Sequence, residues 1–395
     1  MPLSLYFHIP FCKSRCGYCD FVTFAGFERL IPEYVHALEK QVLLYSSNDE
    51  VRTIFFGGGT PSLVPPEHYA RLFITIRESF RLLPDAEITL EANPGTVDNR
   101  SLSEFRNMGF NRISFGMQSA RPSELQMLER QHRPEDVVRA VTLSREAGFE
   151  NINLDLIFGI PGQILKDWKG SLQAALDLSP EHLSLYSLII EEGTPLARRI
   201  ERGDIPHPDD DITADQYEWS CRVLEDAGFR HYEISNWAKV DVSRDLRCQH
   251  NMQYWRLGPY LGFGCGAVGF LPARKDAPRS PGQLMQNEGG INNYIKQVNL
   301  VNKRGDDSIF FKPVTETYEM ETLLFMGFRL LQEGINPTEF QHRFNVDLQQ
   351  VFGERIDGLF ERGLIELSPE GNYRLTRNAW FTSNQVLREF TGVSD

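Results

Sequence analysis

The sequence predicts an α/β protein: an open, three-quarter (β/α)6 barrel of the TIM type, followed by a C-terminal winged-helix-like α+β module. Three observations carry that prediction. The first 200 residues alternate strand-like apolar runs with amphipathic helical runs, giving six strand–helix units and hence a parallel sheet with helical crossovers. The unusual residues fall at or just beyond the C-terminal ends of those strands, the face on which barrels gather ligand-binding loops. From about residue 313 the pattern changes to helix, helix and hairpin. Periodicity alone also fits an open doubly wound sheet; the clustering of unusual residues on one rim favours the barrel.

The strand candidates are, in order, "LSLYFHIPF", "RTIFFGG", "EITLEAN", "RISFGMQS", "NINLDLIFG" and "HLSLYSLII". Each is a short apolar run rich in β-branched or aromatic residues. Between them lie helical patterns such as "IPEYVHALEKQVLLYSS" and "PEDVVRAVTLSREAG", the second stopping at Gly148 as helices do at a glycine C-cap. These elements make residues 1–208 the expected barrel. Residues 209–312 read as a connecting region with a helix ("DDITADQYEWSCRVLEDAG"), a segment "FRHYEISNWA", a Gly-rich stretch near 258–269 and an exposed connection over 274–292. Residues 313–395 form the C-terminal module, with "ETYEMETLLFMGFRLL", "DLQQVFGERIDGLFERG" and the hairpin "LIELSPEGNYRLT". Winged helices often bind nucleic acid, but this module carries 13 acidic against 7 basic side chains. That balance favours a structural cap or a partner-binding role.

A net charge of −13 over 395 residues argues against a surface for nucleic acid or an acidic membrane. The longest uncharged candidate, "YLGFGCGAVGFLPA", is shorter than the roughly 20 apolar residues of a membrane helix and rich in glycine. The N-terminal apolar stretch is broken by His8 and Pro10 and lacks a basic run, so neither signal nor transit peptide is expected. The expected location is the cytoplasm, where clustered thiols more often bind metal than form disulfides.

Three of the six cysteines, Cys12, Cys16 and Cys19, fall within "LYFHIPFCKSRCGYCDF", and Phe21 stands where a fourth thiol would be sought. Zinc wants a closed tetrahedron, for which His8 is the available fourth ligand; an inert cluster of cysteines is a further alternative. Three thiolates on a cubane iron–sulfur cluster leave one iron open to a substrate or cofactor. "GGGTPS" at the end of the next strand supplies Gly57, Gly58 and Gly59, which let backbone approach a ligand closely, although a plain strand-to-helix turn also wants glycine.

The C-x3-C-x2-C spacing with Tyr18 before the last cysteine resembles the radical S-adenosylmethionine superfamily. "YFHIPFC", "GGGTPS", "EANPGT", "RISFGMQS", "LDLIFGIPGQ" and the C-terminal module resemble its HemN/HemW branch nearly end to end. That resemblance implies a three-quarter barrel holding a 4Fe–4S cluster on Cys12, Cys16 and Cys19, its open iron chelated by the methionine moiety of S-adenosylmethionine. It also implies cofactor contacts at Tyr6, at Tyr18 beside the adenine, at Gly58, Gly59 and Thr60 near the methionyl group, and at Glu91, Gln118, Arg130 and Asp155. The chemistry agrees: carboxylates and amides suit ribose hydroxyls and a sulfonium, and an arginine suits a carboxylate. Singly, Glu91 or Asp155 also reads as a helix cap or a surface ion pair.

Within the branch, coproporphyrinogen III oxidases carry a further cysteine where this chain has Phe21, and an N-terminal extension ahead of the first cysteine that this sequence does not show. "HNMQYW", His250 to Trp255, matches the HNxxYW motif of the HemW-type heme chaperones. That resemblance implies heme as a third cofactor, with His250 the candidate axial ligand, Tyr254 and Trp255 offering aromatic area, and acceptor proteins, some at a membrane, as partners. Ordinary interior packing also explains a His–Asn pair with aromatics, and Cys248 and Cys265 are competing soft ligands. Relatives often show a histidine in the "GCGAxG" segment where this chain has Val268. The alternatives are a porphyrinogen-decarboxylating radical enzyme and a winged-helix nucleic-acid modifier.

Overall fold

The computed structural model describes residues 1–273, 281–301 and 309–392. Six strands, β1 (Leu3–Ile9), β2 (Glu50–Gly58), β3 (Arg81–Ala92), β4 (Arg112–Gln118), β5 (Ile152–Phe158) and β6 (His182–Ser187), pair in parallel in chain order. Helices Ile31–Leu44, Pro66–Ser79, Asn99–Met108, Pro134–Glu146 and Leu165–Asp177 lie between them. The sheet does not close, so the expected three-quarter barrel is what the chain builds.

It is wider than expected. Tyr260–Phe263 pairs in parallel with the outer edge of β1, and Val268–Leu271, Gln283–Gln286 and Phe311–Pro313 continue antiparallel beyond it. Past β6 lie Asn236–Lys239 and Phe229–Glu233, for twelve strands in one sheet among the described residues. The stretch 274–292 is thus not simply an exposed connection: Gln283–Gln286 is a sheet strand with Met285 fully buried, while 274–280 lies outside the described residues.

Strand alternation divides the barrel sharply. One set of side chains packs outward under the helices: Phe7 stacks between Phe56 and Phe263 at 4.7 and 4.8 Å, and Phe56 meets Tyr69 and Phe73 of helix Pro66–Ser79. The other set lines the interior and is largely polar, where TIM barrels usually stack branched apolar residues. Ser4, Thr53, Thr89, Arg112, Ser114, Asn153, His182 and Ser184 are all buried there. Several pair across strands, as in Asn153 Nδ2 to Ser114 Oγ at 2.7 Å and His182 Nδ1 to Asn153 Oδ1 at 2.6 Å, while Thr89 Oγ1 and Arg112 Nε have no protein partner.

Helix Gln249–Trp255, which carries the HNxxYW motif, floors this interior at the N-terminal ends of the strands. The Glu87 carboxylate accepts from the backbone N–H groups of Gln249 and His250, both at 3.1 Å, where the first-turn donors of a helix need partners. Below it the C-terminal module has its own core, including Leu324, Phe340, Phe352, Ile356 and Leu387. Glu333 of that module receives Arg256 at 2.7 Å and Arg247 at 2.9 Å, tying it to both flanks of the floor helix.

Candidate functional site

The loop leaving β1 holds the three cysteines. Two-residue strands Phe11–Cys12 and Phe24–Ala25 pair and pinch its ends together, and Phe24 N–H donates to Pro10 O at 2.7 Å. Inside the pinch, Cys19 N–H donates to Cys16 O at 3.2 Å, so the last two cysteines share one turn. All three thiols are free, and all three line a cavity of about 710 Å³ at the C-terminal ends of the strands. Tyr18, Gly58, Gly59, Thr60, Glu91, Gln118, Arg130 and Asp155 line the same cavity. Eleven of the sequence-expected site residues are thereby brought together.

Each is aimed by an identifiable device. Thr60 Oγ1 donates to Cys12 Sγ at 3.7 Å, and burial pushes that thiol upward from its ordinary pKa. Arg130 donates from Nη1 to Cys16 Sγ at 3.5 Å and from Nη2 to Gly116 O at 3.0 Å. Asp155 accepts from Ser114 Oγ at 3.0 Å and Asn153 Nδ2 at 2.8 Å, while burial raises its pKa. Glu91 accepts from Gly58 N–H at 3.0 Å; burial, then the nearby Asp155 charge, push it up to about 7. Gln118 sits at a register shift ending β4 with φ of 61°, a left-handed conformation uncommon for a side-chain-bearing residue. Strain of that kind is typical of ligand sites.

The glycines do a different job from the one their sequence suggests. A Cβ on Gly58 would meet the His8 ring at 2.5 Å, and one on Gly59 would meet backbone of Ile9 to Phe11 at 2.8–2.9 Å. Gly59 and Thr60 donate their N–H groups to Ile9 O and Phe11 O, both at 2.8 Å. Their smallness therefore lets the turn lie against the cysteine-bearing chain, which brings Thr60 to Cys12.

One expected contact is not in the cavity. Tyr6 lies deeper on β1, its hydroxyl 3.0 Å from His8 Nδ1, and does not line the cavity. His250 is only 1% exposed on the barrel floor, with Thr53 Oγ1 at 2.7 Å from Nδ1 and Tyr254 Oη at 2.7 Å from Nε2. Both ring nitrogens are engaged, so in this structure the ring is a packed interior group that presents no free nitrogen to a heme iron. Cys248 and Cys265 are likewise buried. Sequence reasoning missed Ser114 and Asn153, which hold Asp155; their polar alternation in "RISFG" and "NINLDL" was the available signal.

The donor set discriminates among metals. His8 is not a fourth zinc ligand, since Nε2 contacts Val22 O at 2.7 Å and Nδ1 contacts Tyr6. Among the described residues no three His, Cys, Asp or Glu side chains converge to hold a single ion. Three thiols that share a cavity without converging on a point fit a cluster, in which each thiolate takes a different iron.

Residues 6–175 match the Radical SAM superfamily and residues 314–382 the HemN C-terminal domain. The heme chaperone HemW of Bacillus subtilis is 33% identical over 98% of this chain and 99% of its own. Its Escherichia coli namesake is 42% identical over 68% of this chain and 70% of its own. Coproporphyrinogen III oxidase (HemN) from Escherichia coli has the same fold, with a TM-score of 0.82 at 22% identity over 98% of this chain and 90% of that one. Full-length likeness at this level, on a cavity with three thiols and no fourth, leaves one assignment: the chain belongs to the HemW-type family of radical S-adenosylmethionine proteins.

Proposed function

We propose that this protein is a heme chaperone that carries one 4Fe–4S cluster on Cys12, Cys16 and Cys19, holds S-adenosylmethionine at the open iron, and binds heme for delivery to acceptor proteins, some of them at a membrane. The observation that supports it most is the shared cavity, with three thiols at one end and Glu91, Gln118, Arg130 and Asp155 around the rest. When bound, the cluster supplies an iron able to chelate the methionine moiety and to pass one electron.

The residues supply recognition. The Glu91 carboxylate suits the methionine ammonium, and the Arg130 guanidinium, already donating to Cys16, suits the carboxylate. Asp155 and Gln118 suit the ribose hydroxyls, with Asp155 held in place by Ser114 and Asn153. Tyr18, packed beside Leu128, Ile157 and Leu188, offers a flat wall to adenine. The proposed division is 1–208 for the cofactor barrel, 209–312 for the floor and added strands, and 313–395 for the docked module.

Relatives named heme chaperone carry the heme part of this reading, while the likeness to the oxidase is one of fold. The deciding experiment is heme titration of anaerobically reconstituted protein, followed by mixing with an apo-acceptor. The reading expects saturable binding and transfer faster than heme leaves an unrelated carrier. Absence of saturable heme binding, with or without the cluster, contradicts it.

A further inference from the structure

Phe21 has little part in the fold. Its ring is 68% exposed, at the lip of the cofactor cavity two residues beyond Cys19. One more large side chain lines the same cavity yet stays open to solvent: Ile189 at 64% exposure. Phe21 comes from the loop leaving β1, and Ile189 from the loop leaving β6. These are the first and last of the six strands in chain order, each continued in the sheet by a further strand, and their loops meet at the cavity mouth. The two loops are joined there, since Leu196 N–H donates to Gly17 O at 2.8 Å and Tyr18 packs with Leu188 and Leu196.

This rim is distinct from the cofactor-binding wall. Asp155 and Glu91 lie within their strands, three residues and one residue short of the ends of β5 and β3, whereas Phe21 and Ile189 lie beyond theirs. Neither the thiols nor the polar contacts explain an apolar lip, and clustered exposed apolar residues mark binding surfaces. Lys13 and Arg15 are exposed and line the same cavity. Arg15 also donates to the carbonyls of Cys19 at 3.0 Å and Phe21 at 3.5 Å, which fixes the Phe21 backbone. Asp20 and Glu191 share the lining, so the rim is no basic patch for a polyanion. A broad apolar body with a few anionic groups at one edge is the ligand chemistry that fits.

The geometry points to this rim as the heme platform, with Phe21 and Ile189 against the porphyrin and Lys13 and Arg15 beside its propionates. The inference rests on the heme-chaperone reading and gives that ligand a place that His250 does not. It also sets the heme over the mouth of the cofactor cavity, so the two ligands stack and do not compete.

The test is heme titration, followed by the Soret band, of full-length reconstituted Phe21→Ser, Ile189→Ser and the double variant, with iron and sulfide measured alongside. Each single change should weaken heme binding several-fold and the pair by about tenfold or more, with cluster content kept. Ile189 lies outside the cysteine loop, so its loss of affinity is independent of any effect on the cluster. A double variant that titrates like the parent overturns the platform and leaves the chaperone reading standing. A parent protein without saturable heme binding overturns both.

Discussion

His250 Nδ1 lies 2.7 Å from Thr53 Oγ1, beneath the barrel and at the opposite strand ends from the cysteines. Its ring stacks on Phe55 at 5.1 Å, and burial lowers its pKa to about 3, so it is neutral at any working pH. The HNxxYW motif is therefore a floor: His250 pins the helix to β2, Tyr254 meets His250, and the helix N-terminus rests on Glu87. His250→Ala should cost about 2–3 kcal/mol of stability, from the lost hydrogen bonds and the void left in a closed site. Denaturant unfolding reads that loss, and the Soret band and heme affinity of the folded variant should match the parent. A stable variant with an altered Soret band would return His250 to the iron.

Cofactor affinity should rise between about pH 6 and 8. Glu91 is pushed from 4.5 to about 7, so below that range a proton must leave before the carboxylate can receive an ammonium. The sign for the free protein is opposite. A carboxyl raised in the folded state contributes stability that is present below its unfolded pKa and lost as pH climbs through about 7. Glu91→Gln should flatten the binding profile measured by calorimetry; an unchanged slope would remove Glu91 from the ammonium site.

Arg130→Gln should keep iron and sulfide but weaken S-adenosylmethionine binding by roughly tenfold or more, since a charge-assisted donor is lost. The same change takes a cation from beside Cys16 Sγ, 3.5 Å away, so the cluster's midpoint potential should fall. An unmoved potential with unchanged affinity would leave Arg130 only its link to Gly116.

Coproporphyrinogen III should pass through unconverted when cofactor and an electron source are supplied. Phe21 gives the lip a solvent-open ring where the resemblance read from the sequence implies a thiol in the oxidases. Product analysis showing protoporphyrinogen at enzyme-like rates would reverse this.

The strands β1 to β6 were legible because each is a compact apolar run whose polar residues alternate inward. Tyr260–Phe263 was not, because "YLGFG" reads as a glycine-rich loop; Gly262 is small because its Cβ would lie 2.2 Å from Val268 O of the next strand. Gln283–Gln286 hid among polar residues because it needs only Met285 on its buried side. At the site, the sequence located the cysteines and the later strand ends but carried no measure of depth. Tyr6 and His8 share one face of β1, yet Tyr6 lies a layer lower and serves His8. Likewise the motif around His250 announced aromatics and imidazole without saying whether they face solvent or a closed floor.

In the proposed function, three thiols hold a cluster whose remaining iron accepts S-adenosylmethionine. The most direct measurement is electron-spin resonance of the reduced, anaerobically reconstituted protein with and without that compound, together with iron and sulfide analysis. About four irons and four sulfides per chain are expected, lost in Cys12→Ala, Cys16→Ala and Cys19→Ala and retained in Cys221→Ala, with a signal that changes when S-adenosylmethionine is added. Stoichiometric zinc without sulfide, or a cluster signal indifferent to the cofactor, would contradict it.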